Sequence, residues 1–152
     1  MLGLSSSRLT IICAGGPRTT TRRLGTGRVT LRMQIVTHRV NTLSALKEVP
    51  SHLGIEFDVR ESPIGPLVTH DPWTTGVPLR EFLEACDHAF YIVNIKCEGI
   101  EFEVLDLLET YDIQNFFLLD CSFPMLVKLA RRGERRLAVR VSDMNRWRPP
   151  LP

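Results

Sequence analysis

Two carboxylates and a histidine stand at spacings that chemistry can use. Glu56 and Asp58 alternate with Ile55, Phe57 and Val59 in the run Gly54-Ile55-Glu56-Phe57-Asp58-Val59-Arg60, and Val68-Thr69-His70-Asp71-Pro72 follows shortly after. In a β-strand successive side chains alternate between faces, so both acids would point to one side of an otherwise apolar ribbon. Carboxylates buried together are costly unless paired or bridged, and a divalent cation with oxygen ligands is a natural bridge. The plain alternative is a solvated polar face opposite Ile55, Phe57 and Val59.

The flanking sequence says what must position these groups. Gln34 to Thr37 reads as a strand, Thr42 to Val49 as a short helix capped by Asn41 or Thr42 and closed by Pro50, and Gly54 to Val59 as the second strand. After the turn residues Ser62 to Pro66, Leu67 to His70 reads as a short returning strand. Pro78 is expected in the first turn of a helix running to Cys86. Ala89–Lys96, Asn115–Asp120 and Leu137–Val141 read as further strands, separated by amphipathic helices over Ile100–Tyr111 and Pro124–Arg131. This alternation predicts parallel βαβ units. Polar residues gather at the strand ends: His38, then Glu56 and Asp58, Asn94 and Lys96, Asp120, and Ser142-Asp143. In a (β/α)₈ barrel that end carries the active site, whereas an open doubly wound sheet often carries a glycine-rich phosphate loop that this sequence lacks.

Composition sets the outer limits. The chain has 152 residues, is 43% hydrophobic and carries a net charge of +2, enough for one domain with a core and too balanced for a nucleic-acid-binding surface. Residues 1–32 hold Arg8, Arg18, Arg22, Arg23, Arg28 and Arg32 with no Asp or Glu, so composition breaks at Met33. We read 1–32 as a basic, disordered leader or an upstream extension of the reading frame, and the folded part as cytoplasmic. An organellar transit peptide is the alternative, and a secretory signal is disfavoured by the shortness of Leu9–Ala14. No apolar run is long enough to span a bilayer. Cys13, Cys86, Cys97 and Cys121 lack metal or dithiol spacing and read as reduced thiols, most of them core residues.

From about Gln34 to Asp143 the sequence resembles the first half of a glycerophosphodiester phosphodiesterase, within the phosphatidylinositol-phospholipase-C-like phosphodiesterase superfamily. Thr37-His38-Arg39 with Asn41 is similar to that family's opening His-Arg-Gly motif. Gly54 to Val59 is similar to its Glu-x-Asp strand, Val68 to Asp71 to its His-Asp motif, Asn94-Ile95-Lys96 to its Glu-x-Lys strand, and Ser122-Phe123 to its Ser-Phe pair. The resemblance implies a TIM-barrel type of α/β fold, here incomplete at about five βα units of eight. It implies a hydrolase acting on a small-molecule phosphodiester or lipid headgroup, in lipid metabolism. His38 and His70 would be the catalytic acid and base. Glu56, Asp58 and Asn94 would hold Mg²⁺ or Ca²⁺, and Arg39 and Lys96 would bind the phosphate.

Two positions depart from the family pattern. Asn94 stands where a third acid would, so metal affinity should be weaker or the ion different, and Val40 replaces the glycine after His38-Arg39. A complete barrel takes ~250 residues, and the proline-rich 144–152 reads as an irregular tail to a partial barrel over 33–143. A truncated barrel would expose sheet edges and self-associate through them. The non-enzymatic alternative is therefore an inert paralogue acting as an interaction module, and a third is a small-molecule binder on an open sheet. His52 and His88 are expected to be solvated or capping, and Arg131–Arg136 a solvated loop. Trp73 is expected either at the substrate mouth or as a packed loop anchor.

Overall fold

The computed structural model describes residues 9–13 and 33–140. Their elements are β1 (Leu9–Cys13), β2 (Met33–Thr37), α1 (Leu43–Glu48), β3 (Gly54–Arg60), β4 (Leu67–Val68) and β5 (Val77–Pro78). There follow α2 (Leu79–Glu84), β6 (Phe90–Ile95), α3 (Glu101–Thr110), β7 (Phe116–Leu119), α4 (Phe123–Arg131) and β8 (Leu137–Ala138). They form an α/β protein around one mixed sheet of order β1-β2-β3-β6-β7-β8, with the β4–β5 hairpin attached to β3. From β2 to β8 the main-path strands are parallel, and β1 runs antiparallel on the outer edge of β2.

The parallel strands lie in the order in which the chain makes them, and all four helices share one side of the sheet. Ile55, Phe57, Val59, Tyr91, Val93, Ile95, Phe116 and Leu118 turn toward that side. There they meet Leu46 of α1, Phe82 and Leu83 of α2, Leu108 of α3 and Leu129 of α4. The rings of Phe57 and Phe82 lie 4.9 Å apart, and burial of each contributes roughly 1.5–3 kcal/mol. The opposite face is apolar at its lower end, where Val36, Phe90 and Ile92 contact Phe117 and Leu119. It becomes polar toward the strands' C-terminal ends, through Glu56, Asp58 and Asn94.

Local chemistry explains the boundaries. The Thr42 hydroxyl accepts from Ala45 N at 3.1 Å to start α1, and Ser122 caps α4 ahead of Pro124 in its first turn. Gly54 lets β2 and β6 approach closely, since a Cβ there would come within 3.0 Å of Val36 and 3.2 Å of the Phe90 carbonyl. At Gly76 a Cβ would stand 2.6 Å from the Val68 carbonyl oxygen, which makes glycine a condition of the β4–β5 hairpin.

Several expectations need correction. Pro78 ends β5, opposite Leu67, and caps α2 from outside, because the hairpin partner takes the position before a helix can. Trp73 is 101% exposed at φ +62°, so it anchors no loop. Of the two roles expected for His88, solvated or capping, burial removes the first, while its Nε2 lies 3.1 Å from the carbonyl of Val49, the C-cap of α1. The last strand is shorter than expected, stopping at Ala138, with Val139 exposed. The apolar piece considered as a secretory core contains β1, paired from Leu9↔Thr37 to Cys13↔Met33. The rest of 1–32, and Val141, Ser142-Asp143 and 144–152, lie outside the described residues.

Candidate functional site

One edge of β3 is shared by two segments, β2 with the residues after it and β4 with the residues after it, and this sharing builds the site. Gly54 and Ile55 pair with β2, and Val59 and Arg60 pair with β4. Between them Val40 N donates to the Glu56 carbonyl at 2.8 Å and Thr69 N to the Asp58 carbonyl at 3.0 Å. The residues that follow β2 and those that follow β4 are thereby drawn to the same end of β3. His38, Arg39 and Asn41 arrive by the first route and His70 and Asp71 by the second. On the other edge β6 pairs in register, with Asp58 opposite Asn94.

Glu56 and Asp58 are 3% and 1% exposed, and every carboxylate oxygen has a donor. Glu56 Oε2 accepts from Arg39 N at 2.7 Å, and His38 Nε2 lies 3.5 Å away. Its Oε1 accepts from Asn94 Nδ2 at 2.8 Å. Asp58 Oδ1 accepts from the same Nδ2 at 3.0 Å and stands 3.2 Å from Lys96 Nζ. Its Oδ2 accepts from Asn41 Nδ2 at 2.8 Å, while Asp58 N donates back to Asn41 Oδ1 at 2.9 Å. Buried charge is tolerable only when satisfied in this way. Asn94, 1% exposed, gives both contacts through nitrogen, and its Oδ1 has no hydrogen-bond partner.

His70 is oriented on both nitrogens. Asp71 Oδ1 lies 2.7 Å from Nδ1 and the Arg39 Nη2 lies 3.0 Å from Nε2. Arginine can only donate, so Nε2 carries the lone pair and Nδ1 the proton, shared with Asp71. That hydrogen bond, above all other causes, holds the Asp71 carboxyl below its usual pKa. Arg39 adopts φ +60°, a turn that sends its N–H inward to Glu56 and its guanidinium outward to His70. Arg60 ties the loops together, donating to the His70 carbonyl at 2.8 Å and the Lys96 carbonyl at 3.2 Å.

The expected residues His38, Arg39, Glu56, Asp58, His70, Asn94 and Lys96 are thus joined in one network. Arg39 and Lys96, expected on a phosphate, here contact His70 and Asp58. Ser122 instead donates to Glu98 Oε1 at 2.6 Å and caps α4. Sequence reasoning missed Asn41 as the partner of Asp58 and Asp71 as the orienter of His70. The His-Asp dipeptide was a usable signal for Asp71; Asn41 is legible beside His38-Arg39 and as a cap, but its pairing with Asp58, 17 residues on, has no local signal. It also missed Arg140, whose guanidinium contacts Asp120 at 2.9 Å and 3.2 Å. That hydrogen bond first, and more weakly the charges of Asp120, Glu56 and Asp58, raise the Arg140 pKa.

As ligands these residues offer oxygen: two carboxylates and, if the Asn94 amide is turned over, a carboxamide oxygen that is otherwise unpartnered. That is a donor set for a hard cation. Among the described residues, no three His, Cys, Asp or Glu side chains group as a metal cage. Burial pushes the thiols of Cys86, Cys97 and Cys121 up to about 12, which disfavours each of these three as a nucleophile.

Fold and site together define an α/β protein with an acidic, histidine-flanked cluster at the C-terminal ends of its parallel strands. No protein-family model, curated protein or solved structure matches the chain. Among the described residues no helix is long and apolar enough to cross a membrane.

Proposed function

We propose that this chain carries the catalytic half of a metal-dependent phosphodiester hydrolase of the phospholipase-C-like kind, acting on a glycerophosphodiester or lipid headgroup. The observation that carries the reading is the position of Arg39, which joins Glu56 through its N–H and His70 through its guanidinium. A guanidinium beside an imidazole, on a backbone tied to a buried carboxylate, suits an anionic diester. The sequential parallel strands, with helices on one side, support a barrel-type arrangement of βα units.

On this reading the Nε2 of His70 takes a proton from the attacking water as its oxygen bonds to phosphorus. His38 gives a proton to the departing alcohol oxygen as the P–O ester bond breaks. Glu56 Oε2, 3.5 Å from His38 Nε2, fixes the direction in which that imidazole faces. Arg39 and Lys96 shift from their internal partners onto the phosphate oxygens. Glu56, Asp58 and Asn94 would hold Mg²⁺ or Ca²⁺, which supplies charge stabilisation for the phosphoryl oxygens.

A chromogenic phosphodiester tests this. Purified chain should hydrolyse it with Mg²⁺ or Ca²⁺, and His38→Ala or His70→Ala should lower kcat by about 10²–10⁴. Activity indifferent to both substitutions and to Glu56→Gln would remove the site from consideration. The full internal pairing of Arg39, Lys96 and both acids favours a second reading, a catalytically inert chain that acts by association. A folded, monodisperse preparation with no turnover under any cation would select it.

A further inference from the structure

The Asn94 amide has one end occupied twice and the other not at all. Its Nδ2 donates to Glu56 Oε1 and to Asp58 Oδ1, at 2.8 Å and 3.0 Å. Its Oδ1 is buried without a partner. The two ends of a carboxamide are nearly the same size, so a half-turn about the terminal bond exchanges them at little steric cost. Electrostatics decides between the two settings. With only the two carboxylates in front of it, the amide must present N–H, because an oxygen there would face two anionic acceptors.

A divalent cation between Glu56 and Asp58 reverses that preference. The N–H groups would then point at positive charge, and the orphaned oxygen is the ligand type that Mg²⁺ and Ca²⁺ take. We propose that Asn94 is a two-setting element of the acidic site: nitrogen inward without a cation, where it bridges Glu56 and Asp58, and oxygen inward as a ligand with one. The inference rests on the divalent-cation reading given above. It adds that the acids are held in place before metal arrives, and that binding must displace two charge-assisted hydrogen bonds. Affinity is weakened in exchange for a site that stays assembled when empty.

The surroundings support the turn. Lys96 and Asn41 keep their own bonds to Asp58, and Arg39 N keeps Glu56 Oε2, in either setting. Only the two Nδ2 contacts are exchanged. A carboxylate at position 94 would lack the donating setting altogether, so it would need the cation that asparagine does without.

The test follows the amide itself in the full ¹⁵N-labelled chain, with Asn94→Asp alongside. On titration with Ca²⁺ or Mg²⁺, the side-chain NH₂ resonances of Asn94 should move to positions of a non-hydrogen-bonded amide, following the occupancy measured by calorimetry. Asn94→Asp should melt at lower temperature than the parent in chelator, recover in millimolar cation, and bind the ion at least about tenfold more tightly. Calorimetric binding with the Asn94 resonances unmoved would overturn the two-setting element while leaving the cation reading intact. Absence of binding by both parent and Asn94→Asp would overturn both. An Asn94→Asp chain that is equally stable with and without cation would overturn the role of Nδ2 as the bridge.

Discussion

The Arg39 guanidinium donates to Nε2 of His70 across 3.0 Å, so the nitrogen that would act as base is kept in contact with the group that would bind the anion. Arg39 is exposed, and its inward contact to Glu56 is made by backbone, not side chain. Changing the side chain should therefore separate function from fold. Arg39→Gln should lower kcat/KM on a chromogenic phosphodiester by about 10²-fold or more, with unfolding free energy within about 0.5 kcal/mol of the parent. Equal losses in both measurements would mean that Arg39 acts through structure.

Asn41 and Asp58 exchange two hydrogen bonds, one of them with a buried carboxylate. Removing the amide leaves both an acceptor and a backbone donor of Asp58 unmet. Asn41→Ala should cost about 2–4 kcal/mol in urea unfolding. A cost below about 0.5 kcal/mol would show that other donors replace it.

Far from the site, Glu134 accepts from Arg136 Nη2 at 2.7 Å and Nε at 2.9 Å, and from the N–H groups of Arg135 and Arg136. The Arg136 hydrogen bond is the largest cause that brings the Glu134 carboxyl down to about 2. A carboxyl with a depressed folded pKa stabilises the fold above its unfolded value of about 4.3, and that contribution fades as pH falls toward 2. Glu134→Gln should flatten the stability curve between about pH 4.3 and pH 2 and lower it at neutral pH. A curve parallel to the parent's across that window would refute the assignment.

The thiols provide a compartment-independent check. Cys86, Cys97 and Cys121 are each pushed up to about 12, chiefly by burial. At pH 8 the folded chain should alkylate slowly at all three, by peptide mapping, and rapidly once denatured. Fast labelling of any of them in native buffer would contradict its packing.

What the sequence disclosed follows from period and from spacing. Ile55, Phe57 and Val59 alternate with Glu56 and Asp58, and the strand does put the two acids on one face. The helices and the long strands between Leu43 and Arg131 were readable because apolar spacing and a cap such as Thr42 are local. What escaped depends on distant partners. Val77–Pro78 is a strand only because Leu67 and Val68 lie beside it, and β1 is one only because β2 does. Arg39 at φ +60° and the unpartnered Asn94 oxygen have no local signature either. The composition break at Met33 was legible, yet it did not reveal that Leu9–Cys13 lies alongside Met33–Thr37.

The donors to the two buried acids lie 17, 36 and 38 residues away in the chain. Contacts of that span carry loop-closure entropy that must be met before they form, and they slow folding in proportion to their number. Before β3 and β6 zip together, Glu56 and Asp58 are two hydrated carboxylates that repel one another. The acidic cluster therefore depends on β3–β6 pairing, and a partly folded form that lacks this pairing should not retain it. Any process that opens the β3–β6 pairing, whether heat, denaturant or a protease acting on a transiently unzipped chain, erases the site in the same step as the sheet.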